Sequence, residues 1–212
     1  YEIIGNTDLR PESSWSRSLG ASWAASTAFG VDVEWYHTAV DDLIDTRFQS
    51  IGASGLQTFA NVNIARARTQ GVEVTLRGLV AGTEWSVGYD HLSARDLEFN
   101  VPLSRRASHT ARARLSRLWD VRQGLTTDVT ARYTGAAPLV SSGSLDGSEP
   151  PRITAEQGAM LSVDLQFRQA LTRTWELSAG VNNALNQRPA LWTPAFDRQA
   201  FAALRWRFQQ QD

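Results

Sequence analysis

The chain has no cysteine and no lysine. The first absence excludes disulfides, thiolate metal sites and cysteine nucleophiles. The second leaves arginine to supply all 21 basic residues, an imbalance that fits GC-rich coding, although soluble surfaces usually carry some lysine. There is little net charge, −1 at pH 7, so no global field argues for nucleic acid. No apolar run approaches the roughly 18 residues of a spanning helix. At 42% hydrophobic residues the composition is also too polar for a bundle of membrane helices. No signal peptide opens the chain; it begins in mid-phrase at Tyr1-Glu2-Ile3-Ile4-Gly5, as a processed or partial sequence would. Helical periodicity is nowhere sustained.

What is present is alternation. In the last segment Leu204, Trp206 and Phe208 alternate with Arg205 and Arg207, and a strand shows opposite faces at successive residues. The same pattern predicts nine strands, at about 13–25, 27–40, 59–79, 84–95, 107–118, 125–134, 160–170, 175–183 and 201–208. Val31, Val33 and Trp35 oppose Asp32, Glu34 and Tyr36; Val72, Val74 and Leu76 oppose Glu73, Thr75 and Arg77; Leu161, Val163 and Leu165 oppose Ser162, Asp164 and Gln166. Connections alternate in length. Short ones fall near 26, 81–83, 120–123 and 171–174, and long ones at about 41–58, 96–106, 135–158 and 187–198. Trp23, Phe29, Trp85, Trp119, Trp175 and Phe208 sit at the short-connection end. Two architectures alternate in this way: a soluble sandwich and an outer-membrane barrel. Short turns at one rim, long loops at the other and an aromatic girdle favour the barrel. The charge density of the polar face favours it too.

Four phrases resemble the barrel half of TonB-dependent outer-membrane receptors. They are Gly5-Asn6-Thr7-Asp8-Leu9-Arg10-Pro11-Glu12, the strand end Tyr36 to Asp45 with Val40-Asp41-Asp42-Leu43-Ile44, the run Asn61 to Glu73 with Ala65-Arg66 and Gly71-Val72-Glu73, and Gly180-Val181-Asn182-Asn183-Ala184-Leu185-Asn186-Gln187-Arg188-Pro189. Phe208 resembles the aromatic end read by the barrel-assembly machinery, with a short tail after it. The resemblance implies an all-β, antiparallel transmembrane β-barrel of 22 strands with a plugged lumen. Residues 1–212 are then expected to be about nine C-terminal strands, with the plug domain and earlier strands outside the sequence. It further implies a bacterial outer-membrane location. The implied role is uptake of a scarce solute such as a ferric siderophore, cobalamin or a glycan, energised by TonB. Outer-membrane lipid, TonB, the plug domain and the small nutrient ligand are the expected partners.

Within that resemblance, Arg66, Arg68, Glu73 and Arg77 are expected to face the lumen and the plug. Arg47, Gln57, Asp146 and Arg152 lie in the long loops and suit a polar ligand. The phrase Asn182-Asn183 reads as a turn or cap rather than a ligand site. Asp41, Asp42 and Asp45 have the clustered oxygens a hard cation wants, but such a run is more often a solvated loop. His37, His91 and His109 are scattered, without metal-ligand spacing. There is no G-x-S-x-G elbow and no phosphate loop. No catalytic, cofactor or metal residue is therefore assigned. The rival functions are a passive porin and a small outer-membrane hydrolase, for which His37 near Asp41 is the one faint candidate.

Overall fold

The computed structural model describes residues 1–26, 28–51, 55–120, 124–141, 143–144, 149–188, 197–206 and 208, the side chains of 64, 65 and 120 excepted. Every regular element among them is a strand. In chain order they are β1 (Glu2–Ile4), β2 (Ser13–Ser26), β3 (Phe29–Ile51), β4 (Gln57–Val80), β5 (Thr83–Asp96), β6 (His109–Asp120), β7 (Leu125–Thr134), β8 (Ala137–Val140), β9 (Ile153–Gln157), β10 (Met160–Ala170), β11 (Trp175–Asn182) and β12 (Gln199–Trp206). Nine of them form one antiparallel path, β12-β11-β10-β7-β6-β5-β4-β3-β2. These are the nine strands that the alternation predicts. The short β1 adds in parallel to β4 at Thr58–Ala60, and β8 and β9 form a separate hairpin. Among the described residues β2 pairs with β3 alone and β12 with β11 alone.

Register aligns the apolar side chains into one continuous band. Trp23 stands opposite Val31, Val31 opposite Leu76, Leu76 opposite Val87, and Val87 opposite Ala113. The row continues through Ala131 and Val163. One residue out of register would turn every side chain to the other face, so the band fixes the pairing. Nothing covers it. The buried apolar residues among those described are four alanines, Ala60, Ala67, Ala94 and Ala137, while Leu19 is 75% exposed, Trp23 62% and Leu204 58%. A soluble sandwich buries such a face against a second sheet. A sheet with no core and an uncovered apolar face is what a bilayer can solvate.

The short turns gather at one rim and the long connections at the other, as the spacing predicts. The aromatics of the turn rim touch one another: Trp23 with Phe29 at 6.2 Å, Phe29 with Trp85 at 6.2 Å, and Trp175 with Trp206 at 5.9 Å between centroids. One expectation fails. The segment 41–58 is read from sequence as a loop, but β3 runs on to Ile51 and β4 begins at Gln57. The pair projects far past its neighbours as a tall hairpin. Beyond the apolar band buried and polar positions mix, Arg47, Thr58 and Ala60 being buried, so alternation fades although the ladder continues.

Candidate functional site

The polar face and the long-connection rim hold the chemistry. On the polar face the rows are charged. Glu34, Glu73 and Asp90 stand directly opposite one another across β3, β4 and β5. Farther along lie Arg112 and Arg132, cross-strand partners on β6 and β7. Between the acids and the arginines is a depression of about 350 Å³ whose lining includes Gly88; a glycine there leaves the backbone bare.

Most polar-face arginines have carboxylates. Asp128 accepts from Arg114 at 3.2 Å and from Arg168 at 2.7 Å. Arg132 pairs with Asp164, whose other oxygen accepts the Asn183 N–H at 2.9 Å. Arg77 meets Asp32 at 2.6 Å. These pairs cross from strand to strand and orient the face, though exposed pairs of this kind each contribute only about 0–1 kcal/mol.

Glycines set two close approaches. A Cβ on Gly71 would meet the Tyr36 hydroxyl and the His91 carbonyl, each at 2.4 Å. The bare strand lets the Tyr36 ring cross β4, and its hydroxyl donates to Asp90 at 3.0 Å. Phe201 lies against Gly180 in the same manner, 2.7 Å from a hypothetical Cβ. Gly71→Ala is expected to push Tyr36 off its site and to cost about 1–3 kcal/mol, as overpacking does. Gly20→Ala, whose nearest neighbour would be 3.7 Å away, is the control. Thermal loss of the folded band on an unboiled gel measures both, and equal melting of the two variants would refute the assignment.

Three of the four family-like phrases converge in space. Asp42 takes a left-handed φ of 56°. Around it Arg10 contacts the Asp42 carboxylate at 2.5 Å, and Glu12 accepts the Ile44 N–H at 2.5 Å. Asn63 accepts the Arg10 N–H at 2.8 Å and donates to the Arg10 carbonyl at 2.9 Å. Asn6 donates to the Asn61 carbonyl at 3.0 Å. The first phrase is thus a clasp across β3 and β4. The last phrase is a turn: Asn183, at φ 48°, donates to the Gln187 carbonyl at 3.0 Å and accepts its N–H at 3.2 Å. The aspartates do not converge as a cation site would. Asp42 serves the clasp, and Asp45 accepts the Thr46 N–H at 2.8 Å.

The predicted site residues divide. Glu73 and Arg77 lie on the polar face. Arg66 and Arg68 do not share it: register runs unbroken from Arg77 to Arg66, so period-two alternation puts both on the face of Val72 and Val74. Their expected place in the lumen is corrected accordingly. Arg47 is 5% exposed. It pairs with the equally buried Asp96 at 3.7 Å and lies 5.1 Å from the Phe99 ring centroid. Phe48 beside it donates to the Gly143 carbonyl at 3.1 Å, so the connection between β7 and β10 docks on the tall hairpin. Gln57 and Arg152 are exposed on the same rim, and Asp146 lies outside the described residues. Sequence reasoning missed the Arg47–Asp96 lock, because nothing local links two residues so far apart. His37, at the outward face, stacks on Trp35 at 6.2 Å.

A family model described as TonB dependent receptor-like, beta-barrel, matches residues 1–184. The chain belongs to that family. Similar solved structures include a variant of the ferric enterobactin receptor from Pseudomonas aeruginosa, at a TM-score of 0.74 and 18% identity over 97% of this chain and 32% of that one. The copper transporter OprC gives 0.75 and 14%, covering 95% of this chain and 32% of its own. The siderophore receptor PirA from Acinetobacter baumannii gives 0.73 and 17%, with 97% and 33% covered. At these identities the likeness establishes the fold. The chain spans about a third of the length of each. The family is one of transport receptors, and its barrels are all-β, as this sheet is.

Proposed function

We propose that this chain forms part of the wall of a bacterial outer-membrane importer energised by TonB, and that residues 1–212 supply its C-terminal strands. The observation that carries the reading is the two-faced sheet without a core: a continuous apolar band left uncovered, backed by a face of charges. A bilayer solvates the first, and an aqueous, protein-filled lumen suits the second. The polar face, with Glu73, Arg77 and the depression beside Asp90 and Arg112, then meets the plug domain, which lies outside this sequence. The long-connection rim faces the medium. There Gln57 and Arg152 are placed to meet a ligand, while Arg47 holds the rim together from inside. The solute is a scarce, polar, iron- or metal-bearing compound such as a ferric siderophore. Cobalamin and glycans are the other ligands to test. The wall needs no covalent chemistry for this role.

The test is radiolabelled uptake by cells carrying the full protein, with and without TonB. Uptake of one ferric siderophore, lost when TonB is deleted, is the expected result. Uptake undiminished without TonB would instead identify a passive pore.

A further inference from the structure

The outward face changes character above its apolar band. On β2 to β5 the three rows that start at Leu19, Trp35, Val72 and His91 and run toward the long-connection rim, short of the Ser13–Asp41–Arg66 row, comprise twelve positions, three on each strand. They are Leu19, Arg17 and Trp15; Trp35, His37 and Ala39; Val72, Gln70 and Arg68; and His91, Ser93 and Arg95. None is a carboxylate. His109 stands opposite His91, and their rings stack at 4.9 Å. Arg68 faces Arg95 across the ladder. Like charges placed directly opposite destabilise a sheet.

The polar face of the same wall shows the contrast. There Arg77, Arg114, Arg132 and Arg168 each hold a carboxylate. Among the described residues Arg17, Arg68 and Arg95 have none within ion-pair distance. Arg95 donates only to Asn100, and Arg17 lies over the Trp15 ring at 4.7 Å. Arg66, one step farther from the band, stands opposite Asp41.

We propose that Arg17, Arg68 and Arg95 form a binding surface for a phosphorylated lipid headgroup at the membrane boundary. The proposal rests on reading the apolar band as lipid-facing. The two surfaces are continuous: Val72 and Leu19 on the first row would contact acyl chains. Two rows farther, about 14 Å along the strand at about 3.4 Å per residue, Arg68 and Arg95 reach the depth of headgroups. A guanidinium fork matches phosphate oxygens, and the anion would relieve the Arg68–Arg95 repulsion. Free phosphate would have the charge but not the acyl contacts, so the surface is assigned to a lipid.

The probe is dansyl-labelled phosphatidic acid, titrated into the full protein in neutral detergent. Diacylglycerol with the same label and inorganic phosphate as competitor make up the other arms. Phosphatidic acid is expected to bind and diacylglycerol not to, with inorganic phosphate a poor competitor. A basic residue near a charged lipid surface contributes about 1 kcal/mol, so each Arg→Gln change should weaken binding roughly fivefold. The triple Arg17→Gln, Arg68→Gln, Arg95→Gln variant should lose about a hundredfold. Arg117→Gln, on the same face at the other rim and lying over Trp119 at 4.3 Å, should bind as the unaltered protein does. Should the triple variant fail the gel-shift test of folding, Arg68→Gln alone carries the measurement. Unchanged binding by the folded variants, equal binding of diacylglycerol, or full displacement by phosphate would each overturn the proposal. None of these results bears on TonB-dependent uptake, which is scored separately.

Discussion

Asp96→Ala is expected to loosen the whole long-connection rim, at a cost of about 3–5 kcal/mol. That is the usual penalty when one partner of a buried ion pair is removed and the other charge stays buried. Both side chains of the Arg47–Asp96 pair are 6% exposed, so Arg47 would have no water to turn to. Asp96 also accepts the N–H groups of Glu98, at 2.8 Å, and Phe99, at 3.2 Å. It therefore fixes the turn whose aromatic ring faces Arg47. Arg47→Met should cost less, because the carboxylate keeps its two N–H donors. Limited proteolysis reads the difference. Asp96→Ala should be cleaved fastest within 97–106, Arg47→Met more slowly, and the wall strands in neither. Equal resistance of all three proteins would contradict the assigned lock.

Val87→Arg should cost about 2–4 kcal/mol in a bilayer, the penalty for arginine on the lipid face near the midplane of a membrane barrel. Val87 is 43% exposed and lies in the row running from Trp23 to Val163. Because the position is open, no packing clash contributes, and the penalty is that of placing a charge in hydrocarbon. The matching change on the other face, Ser86→Arg, should cost no more than about 1 kcal/mol, the repulsion from Arg77 and Arg114 beside it on the polar face. The fraction folded, read by gel shift across a urea series in vesicles, measures both. If Val87→Arg were as stable as Ser86→Arg, the apolar band would not face lipid.

Much of this was legible in the chain, and the reason is the band itself. Where one face meets an apolar medium and the other water, hydropathy must alternate. Strands such as β10, from Met160 to Ala170, therefore announce their faces residue by residue. Above the band that constraint lifts. The tall part of β3 and β4 reads from sequence as a loop, and no alternation announces β1, β8 or β9. The lumen arginines show a second limit. Arg66 and Glu73 are an odd number of residues apart, so in an unbroken strand they belong to opposite faces, as period two alone would have required. The sites at the rim were the least legible. Arg47 stands out for its charge and loop-like setting, but its burial depends on Asp96, at the end of β5, and on Gly143, in the β7–β10 connection, both distant in sequence. Asn183, by contrast, is legible as a turn residue, because its chemistry acts locally.

The detour between β7 and β10 has a consequence for how such a protein changes over time. Those two strands pair directly from Thr126 to Thr134, although residues 135–159, with the β8–β9 hairpin, intervene. The entropy of closing a loop grows only logarithmically with its length, so doubling the detour would cost about 0.6 kcal/mol. The ladder beneath would not register the change. Substitutions in the band are constrained by the membrane, whereas this detour can lengthen or shorten away from Gly143, where it docks on the tall hairpin. A lineage can thereby acquire new ligand contacts at the rim while the wall stays the same.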